Sequence, residues 1–221
     1  MNRAGPRLSH MKTNIAQLPE AIVNQIKPPV VHPIWLRVTH WLNALAVIIM
    51  ILSGWRIYNA SPIFPFRIPS EWTLGGWLGG ALQWHFAAMW LLFFNGLVYL
   101  LLNTGSGRLW KKFLPLRPTE VVQDFVKALR GKLQHDALDH YNAVQKLAYV
   151  SAILDLILLV VSGLAIWKSV QFPVLRELMG GFDNARVVHF CAMAFLVAFI
   201  VVHIIMVALV PRTLLAMLRG R

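Results

Sequence analysis

Apolar positions divide the chain into four long segments, separated by polar stretches rich in proline and glycine. The clearest is 187–209, which has no formal charge and carries two histidines, His189 and His203. A helix needs about 20 apolar residues to cross a bilayer, so this stretch is long enough to span one. The same holds from about Pro33 to Tyr58, from about Ala81 to Leu102, and from about Ala143 to Trp167. Residues 59–80 form a loop with Pro62, Pro65 and Pro69, and its Trp72 and Trp77 suit packing at a membrane interface. Residues 103–142 form the longest loop. Within it, Pro118 to Gly131 has helical apolar spacing and a glycine stop, which predicts a short amphipathic helix on the membrane surface. Residues 1–30 are polar and lack the continuous apolar core of a signal peptide. They read as a cytoplasmic tail. The expected fold is all-α, an integral membrane four-helix bundle over residues 31–221.

Composition supports this reading, with 57% of residues hydrophobic and only 14% charged, where a soluble domain is about a quarter charged. The formal charge of +12 would suggest nucleic acid in a soluble protein. Here sixteen of the 21 Lys and Arg fall in residues 1–37, 103–146 and the tail after Pro211. That bias places both termini and the long loop in the cytoplasm, and no nucleic-acid partner is expected. Cys191 is the single cysteine, so no internal disulfide is possible. There is also no Cys-x-x-Cys-His motif for covalent haem attachment.

The histidines change the picture most. His189 and His203 are fourteen residues apart, within about 40° of four whole turns and roughly 21 Å along one helix face. A polar group at membrane depth is costly without a partner. With the orientation above, His40 lies at the inner end of the first segment and His85 at the outer end of the second. His189 is then outer and His203 inner. An interhelical hydrogen bond accounts for any one such histidine. Four of them, sorted by depth into His40 with His203 and His85 with His189, point to axial ligation of two stacked haems. Zinc or copper is the competing metal reading, although such sites usually add cysteine or carboxylate and no carboxylate sits beside either pair. His10, His32, His135 and His140 lie outside the spans and read as solvated.

Arg37 and Arg186 each precede a candidate ligand by three positions, His40 and His189. They therefore sit one turn nearer water, where a haem propionate would emerge. Ordinary snorkelling explains them equally well. A faint repeat is also visible. Ile-Leu-Ser-Gly54 follows His40 by fourteen residues, and Val-Val-Ser-Gly163 follows Tyr149 by fourteen. Gly54 falls level with the outer pair, where a missing side chain lets a flat macrocycle approach the backbone.

Several of these motifs resemble the bacterial di-haem cytochrome b561 family. They are His-Pro-Ile-Trp-Leu-Arg-Val-Thr-His-Trp-Leu-Asn at 32–43, the Leu-Ser-Gly that follows, Tyr-Asn-Ala-Val-Gln-Lys-Leu-Ala-Tyr at 141–149, and the His-x13-His of the last segment. The family includes cytochrome b subunits of nickel-iron hydrogenases, thiosulfate reductases and formate dehydrogenases. The resemblance covers about residues 31–212. It implies a multi-pass protein of the bacterial inner membrane with two haems b, held by His40, His85, His189 and His203. It also implies electron exchange between a partner and the quinone pool, the partner being a periplasmic molybdenum enzyme or a hydrogenase-like subunit. The alternative is a stand-alone quinone-linked oxidoreductase whose outer haem reacts with superoxide. A haem-free transporter is the third reading. No residue is assigned a catalytic role. Quinone is expected beside the inner haem, with Lys146 and Tyr149, together with Asn142 and Gln145, opening the third segment there. Helix capping and snorkelling compete for these residues. Asp155 departs from the family pattern, and a protonated acid bonded to a neighbouring helix is expected.

Overall fold

A computed structural model describes residues 32–113, 117–129 and 142–220. The proposed tail and the loop histidines His135 and His140 lie outside them. Every regular element among the described residues is helical. Four helices are long and apolar enough to cross a membrane: α1 (Ile34–Ala60), α2 (Leu78–Gly105), α5 (Ala143–Trp167) and α7 (Phe182–Leu209). The short helices are α3 (Arg108–Phe113), α4 (Pro118–Leu129), α6 (Pro173–Leu178) and α8 (Pro211–Arg219), and a 3-10 turn covers Ser70–Trp72.

The spans are longer than their apolar cores at most ends. At 1.5 Å per residue, the 27 residues of α1 reach roughly 40 Å against a hydrocarbon core of about 30 Å. The ends of the helix therefore enter the headgroup layers. α2 likewise runs from Leu78 to Gly105, beyond the expected Ala81 to Leu102. The tail after Pro211 is a helix of nine residues, because proline is well suited to its first turn. α7 starts sharply where Gly180 and Gly181 take φ of 79° and 98°, conformations that exclude most side chains.

α1 packs closely along α2, and α5 along α7, making two hairpin-like pairs. Small buried residues line the spans: Ala46, Ala81, Ala88, Ala152, Ala165, Ala185 and Ala192. In lipid there is little hydrophobic force between helices, so close backbone approach over small residues supplies the packing. The two pairs meet in an apolar cluster of Ala46, Val47, Ile51, Leu92 and Leu196, flanked by Leu156, Leu159 and Phe199. A polar latch strengthens the first pair. The buried Asn95 amide donates to the Thr39 carbonyl (2.7 Å) and to Asn43 Oδ1 (2.7 Å).

A seven-residue period sets the depth of the layers. His40, Val47 and Gly54 follow one another along α1, and His85, Leu92 and Tyr99 along α2. Tyr149, Leu156 and Gly163 follow along α5, and His189, Leu196 and His203 along α7. Seven residues are nearly two turns, so each set stays on one face. The middle member of every set belongs to the apolar cluster or packs against it. Histidine and glycine occupy one end layer, histidine and tyrosine the other.

Candidate functional site

The bundle brings the four intramembrane histidines together in two pairs. His40 of α1 faces His203 of α7, with ring centroids 6.2 Å apart and planes at 59°. His85 of α2 faces His189 of α7 at 6.4 Å and 67°. Phe199, one turn before His203, stacks on that ring at 6.0 Å.

The pair of His85 and His189 is held by a device repeated in the two helix pairs. Ser53 Oγ lies 3.1 Å from His85 Nδ1, and Ser162 Oγ lies 2.9 Å from His189 Nδ1. Each serine sits in a helix and donates its hydrogen to a carbonyl four residues back. Ser53 bonds the Ile49 carbonyl at 2.6 Å, and Ser162 bonds that of Leu158 at 2.7 Å. The hydroxyl oxygen is then an acceptor toward the ring. The same hydroxyls also lie 3.2 Å from the carbonyls of Met50 and Leu159, a second acceptor for that hydrogen. Nδ1 therefore carries the proton in both rings, and Nε2 keeps its lone pair for a ligand.

The glycine after each serine makes room for the same ring. A Cβ added at Gly54 would stand 3.4 Å from His85 Cε1, and one at Gly163 would stand 3.4 Å from His189 Cε1. A side chain longer than that of alanine at Gly54 would therefore run into the imidazole itself, besides any macrocycle beyond it. The Ser-Gly repeat was visible in the sequence, but only its glycine had an apparent use. The serine's role depends on how each helix is rotated, which the spacing alone does not show.

The donor set fits haem. Two ring nitrogens bound on opposite sides of one metal ion, at about 2 Å each, put the ring centres roughly 6 Å apart. Both pairs have that separation. Among the described residues no three His, Cys, Asp or Glu side chains converge. Protein zinc sites take three or four such ligands, whereas haem iron, already held by its macrocycle, needs only axial ones.

The remaining candidates are placed as follows. Arg37 donates from Nη2 to the Leu218 carbonyl at 2.7 Å. Its guanidinium packs against Gly220, where a Cβ would come within 2.7 Å of Nη1. It therefore ties α1 to the end of α8. Arg186 donates to the carbonyl and hydroxyl of Ser61 and lies 3.8 Å from Asp183, tying the start of α7 to the end of α1. Asn142 and Gln145 form a reciprocal capping box at the start of α5, so capping accounts for these two. Lys146 and Tyr149 lie on the next turn, both half-buried.

Asp124 of α4 accepts from the Ala143 backbone amide at 3.0 Å and pairs with Lys127 at 3.2 Å. The amide bond, aided by Lys127, holds its carboxyl below the usual carboxylate range despite some desolvation. Asp155 is buried in the middle of α5, and its Oδ2 has no hydrogen-bond partner. The expected bond to a neighbouring helix is not made through that oxygen.

The family model described as prokaryotic cytochrome b561 matches residues 31–220. The chain is also similar to the putative protein-methionine-sulfoxide reductase subunit YedZ1 of Azospira oryzae. The two are 66% identical over 190 residues, which cover 86% of this chain and 96% of that protein.

Proposed function

The chain belongs to the prokaryotic cytochrome b561 family, and from that premise we propose that it is the membrane electron-transfer subunit of a methionine-sulfoxide reductase. Family membership implies haem b, and the four apolar helices make this a multi-pass membrane protein. In our reading, residues 31–221 form one di-haem domain, with both termini in the cytoplasm. The observation that carries the proposal is the pairing of four histidines at two depths, His40 with His203 and His85 with His189.

Haem b, when bound, accepts and gives up one electron per iron. The residues of this chain do the rest. Ser53 and Ser162 hold the outer histidines in the tautomer that leaves Nε2 free. The layer of Val47, Leu92, Leu156 and Leu196 separates the two pairs and excludes water between them. Reduction of a sulfoxide to a thioether consumes two electrons and two protons. A subunit serving such a partner passes electrons outward, from quinol at the inner end to the soluble reductase at the outer end. Lys146 and Tyr149 are our candidates for the quinone, since Asn142 and Gln145 are committed to capping. Arg37 and Arg186 remain candidates for propionates at the ends of the bundle, alongside their packing contacts.

The test is a haem count by pyridine haemochrome and a reduced-minus-oxidised spectrum of purified protein, repeated on His85→Ala. Wild type should hold two haems, and the variant should lose one while keeping most of the other's spectrum. One haem or none in wild type refutes the reading. Reoxidation of the protein by a quinone analogue should slow in Lys146→Ala and in Tyr149→Phe. Unchanged rates in both would move the quinone to the other end.

A further inference from the structure

The end of α1 remote from the N-terminal segment carries a cavity of about 370 Å³ that no role above uses. It is lined by Arg56, Asn59 and Ala60 of α1, by Arg67, Ile68 and Ser70 of the following loop, and by Leu78 at the start of α2. Arg56 and Asn59 are three positions apart and so share a face of α1. Gly54, the glycine against His85, is two positions from Arg56, about 200° around the helix. The cavity therefore opens away from the histidine pairs.

The loop half of the cavity is fixed in place. Asn59 clamps Ile68 at both ends of its side chain: Nδ2 donates to the Ile68 carbonyl at 2.7 Å, and Oδ1 accepts from the Ile68 amide at 2.9 Å. Tyr58 adds a bond from its hydroxyl to the Phe66 carbonyl at 2.9 Å. Arg67, between Phe66 and Ile68, is thus carried on backbone pinned to α1. Among the described residues neither Arg56 nor Arg67 has a hydrogen bond or ion pair, whereas Arg176 and Arg186 at the same end are paired with Glu177 and Asp183. Glu71, beside the lining residue Ser70, accepts from the Ser70 hydroxyl at 3.5 Å. Two guanidiniums lining one pocket repel each other unless an anion lies between them.

Depth identifies the anion. Arg56 is twenty-two residues after Ile34, roughly 33 Å along α1 and so at the far edge of a hydrocarbon core about 30 Å thick. Trp72 and Trp77, 61% and 68% exposed, lie in the same loop, as tryptophans do at headgroup level. The floor is apolar, with Ala60, Ile68 and Leu78. We propose that this pocket binds the phosphate of an anionic membrane phospholipid in the leaflet opposite the N-terminal segment. The two guanidiniums take the phosphodiester oxygens, and the acyl chains run down the outside of the bundle. A choline headgroup is disfavoured, because its quaternary ammonium would meet the same two cations.

Native mass spectrometry of the purified haem-loaded chain tests this, with titration of phosphatidylglycerol, of phosphatidylcholine and of inorganic phosphate. Wild type should retain phosphatidylglycerol over phosphatidylcholine. The double variant Arg56→Gln/Arg67→Gln should retain it roughly thirtyfold less, from about a factor of five per basic side chain at a membrane surface. Arg56→Lys/Arg67→Lys should keep part of the preference, since the charge remains. The haem spectrum reports folding independently in each variant. Equal lipid retention in wild type and the glutamine variant overturns the proposal. So does uptake of inorganic phosphate in place of the lipid, which would make this a site for a free anion. Unchanged lipid retention with loss of a co-purifying soluble subunit also overturns it, in favour of a protein-docking face.

Discussion

Replacing Ser162 by alanine removes the hydroxyl 2.9 Å from His189 Nδ1 and leaves the helix otherwise intact. A hydrogen bond at the distal nitrogen of a ligating imidazole pushes electron density toward the metal and favours its oxidised state. In the proposed di-haem reading, losing that bond should therefore raise the midpoint potential of the haem that His85 and His189 would hold. A neutral hydrogen bond is worth about 0.5–1.5 kcal/mol net. At 59 mV per 1.4 kcal/mol for one electron, that is roughly 20–60 mV. Ser53→Ala acts on His85, the other member of the same pair, through a longer bond of 3.1 Å. It should shift the same potential by less, and the double variant should show about the sum. Ser162→Thr, which keeps the hydroxyl, should restore the wild-type value. The assay is a spectroelectrochemical titration resolving the two haem components. A shift shared equally by both components, or no shift with either alanine, would refute the assignment of these serines to the outer pair.

Gly54→Ala should be tolerated, since its Cβ stands at ordinary contact distance from His85 Cε1. Gly54→Val drives a γ-methyl toward that ring and should displace His85, read as loss of one haem with the other retained. Asp155→Asn should leave haem content and most quinone-linked turnover intact, because the carboxyl makes no bond through Oδ2 that an amide would lose; abolished turnover with both haems present would make Asp155 part of a proton path. Asp124 holds α4 on the first turn of α5, and its carboxyl is depressed in the folded protein. Its contribution is present above the unfolded-chain pKa of about 3.9 and is lost as pH falls through the lower folded value. Hydrogen exchange over residues 118–129 should accelerate in Asp124→Asn at neutral pH. In wild type the same acceleration should appear only below about pH 4.

Helix pitch is a property of every helix, so the depths of the histidines could be read without a fold. His189 and His203 are fourteen residues apart, nearly four turns, and the apolar runs around them can satisfy their backbone in lipid only as helices. The four spans and the sorting of four histidines by depth are thus local consequences of the sequence. The start of α5 was legible only in part, because a quinone site and helix capping competed for Asn142 and Gln145, and the structure makes the two a capping box. What tertiary structure decided is rotation and loop path, neither of which hydropathy encodes. Ser53 and Ser162 look like ordinary small residues of a membrane helix until α1 and α5 are turned so that they meet His85 and His189. Arg37 seemed free to snorkel until α8 folded back to present the Leu218 carbonyl. Arg56 and Arg67 are eleven positions apart, and only the clamp of Asn59 on Ile68 makes them walls of one cavity. In each case the bond joins residues on different elements, so its partner is chosen by packing geometry and not by the residues beside it.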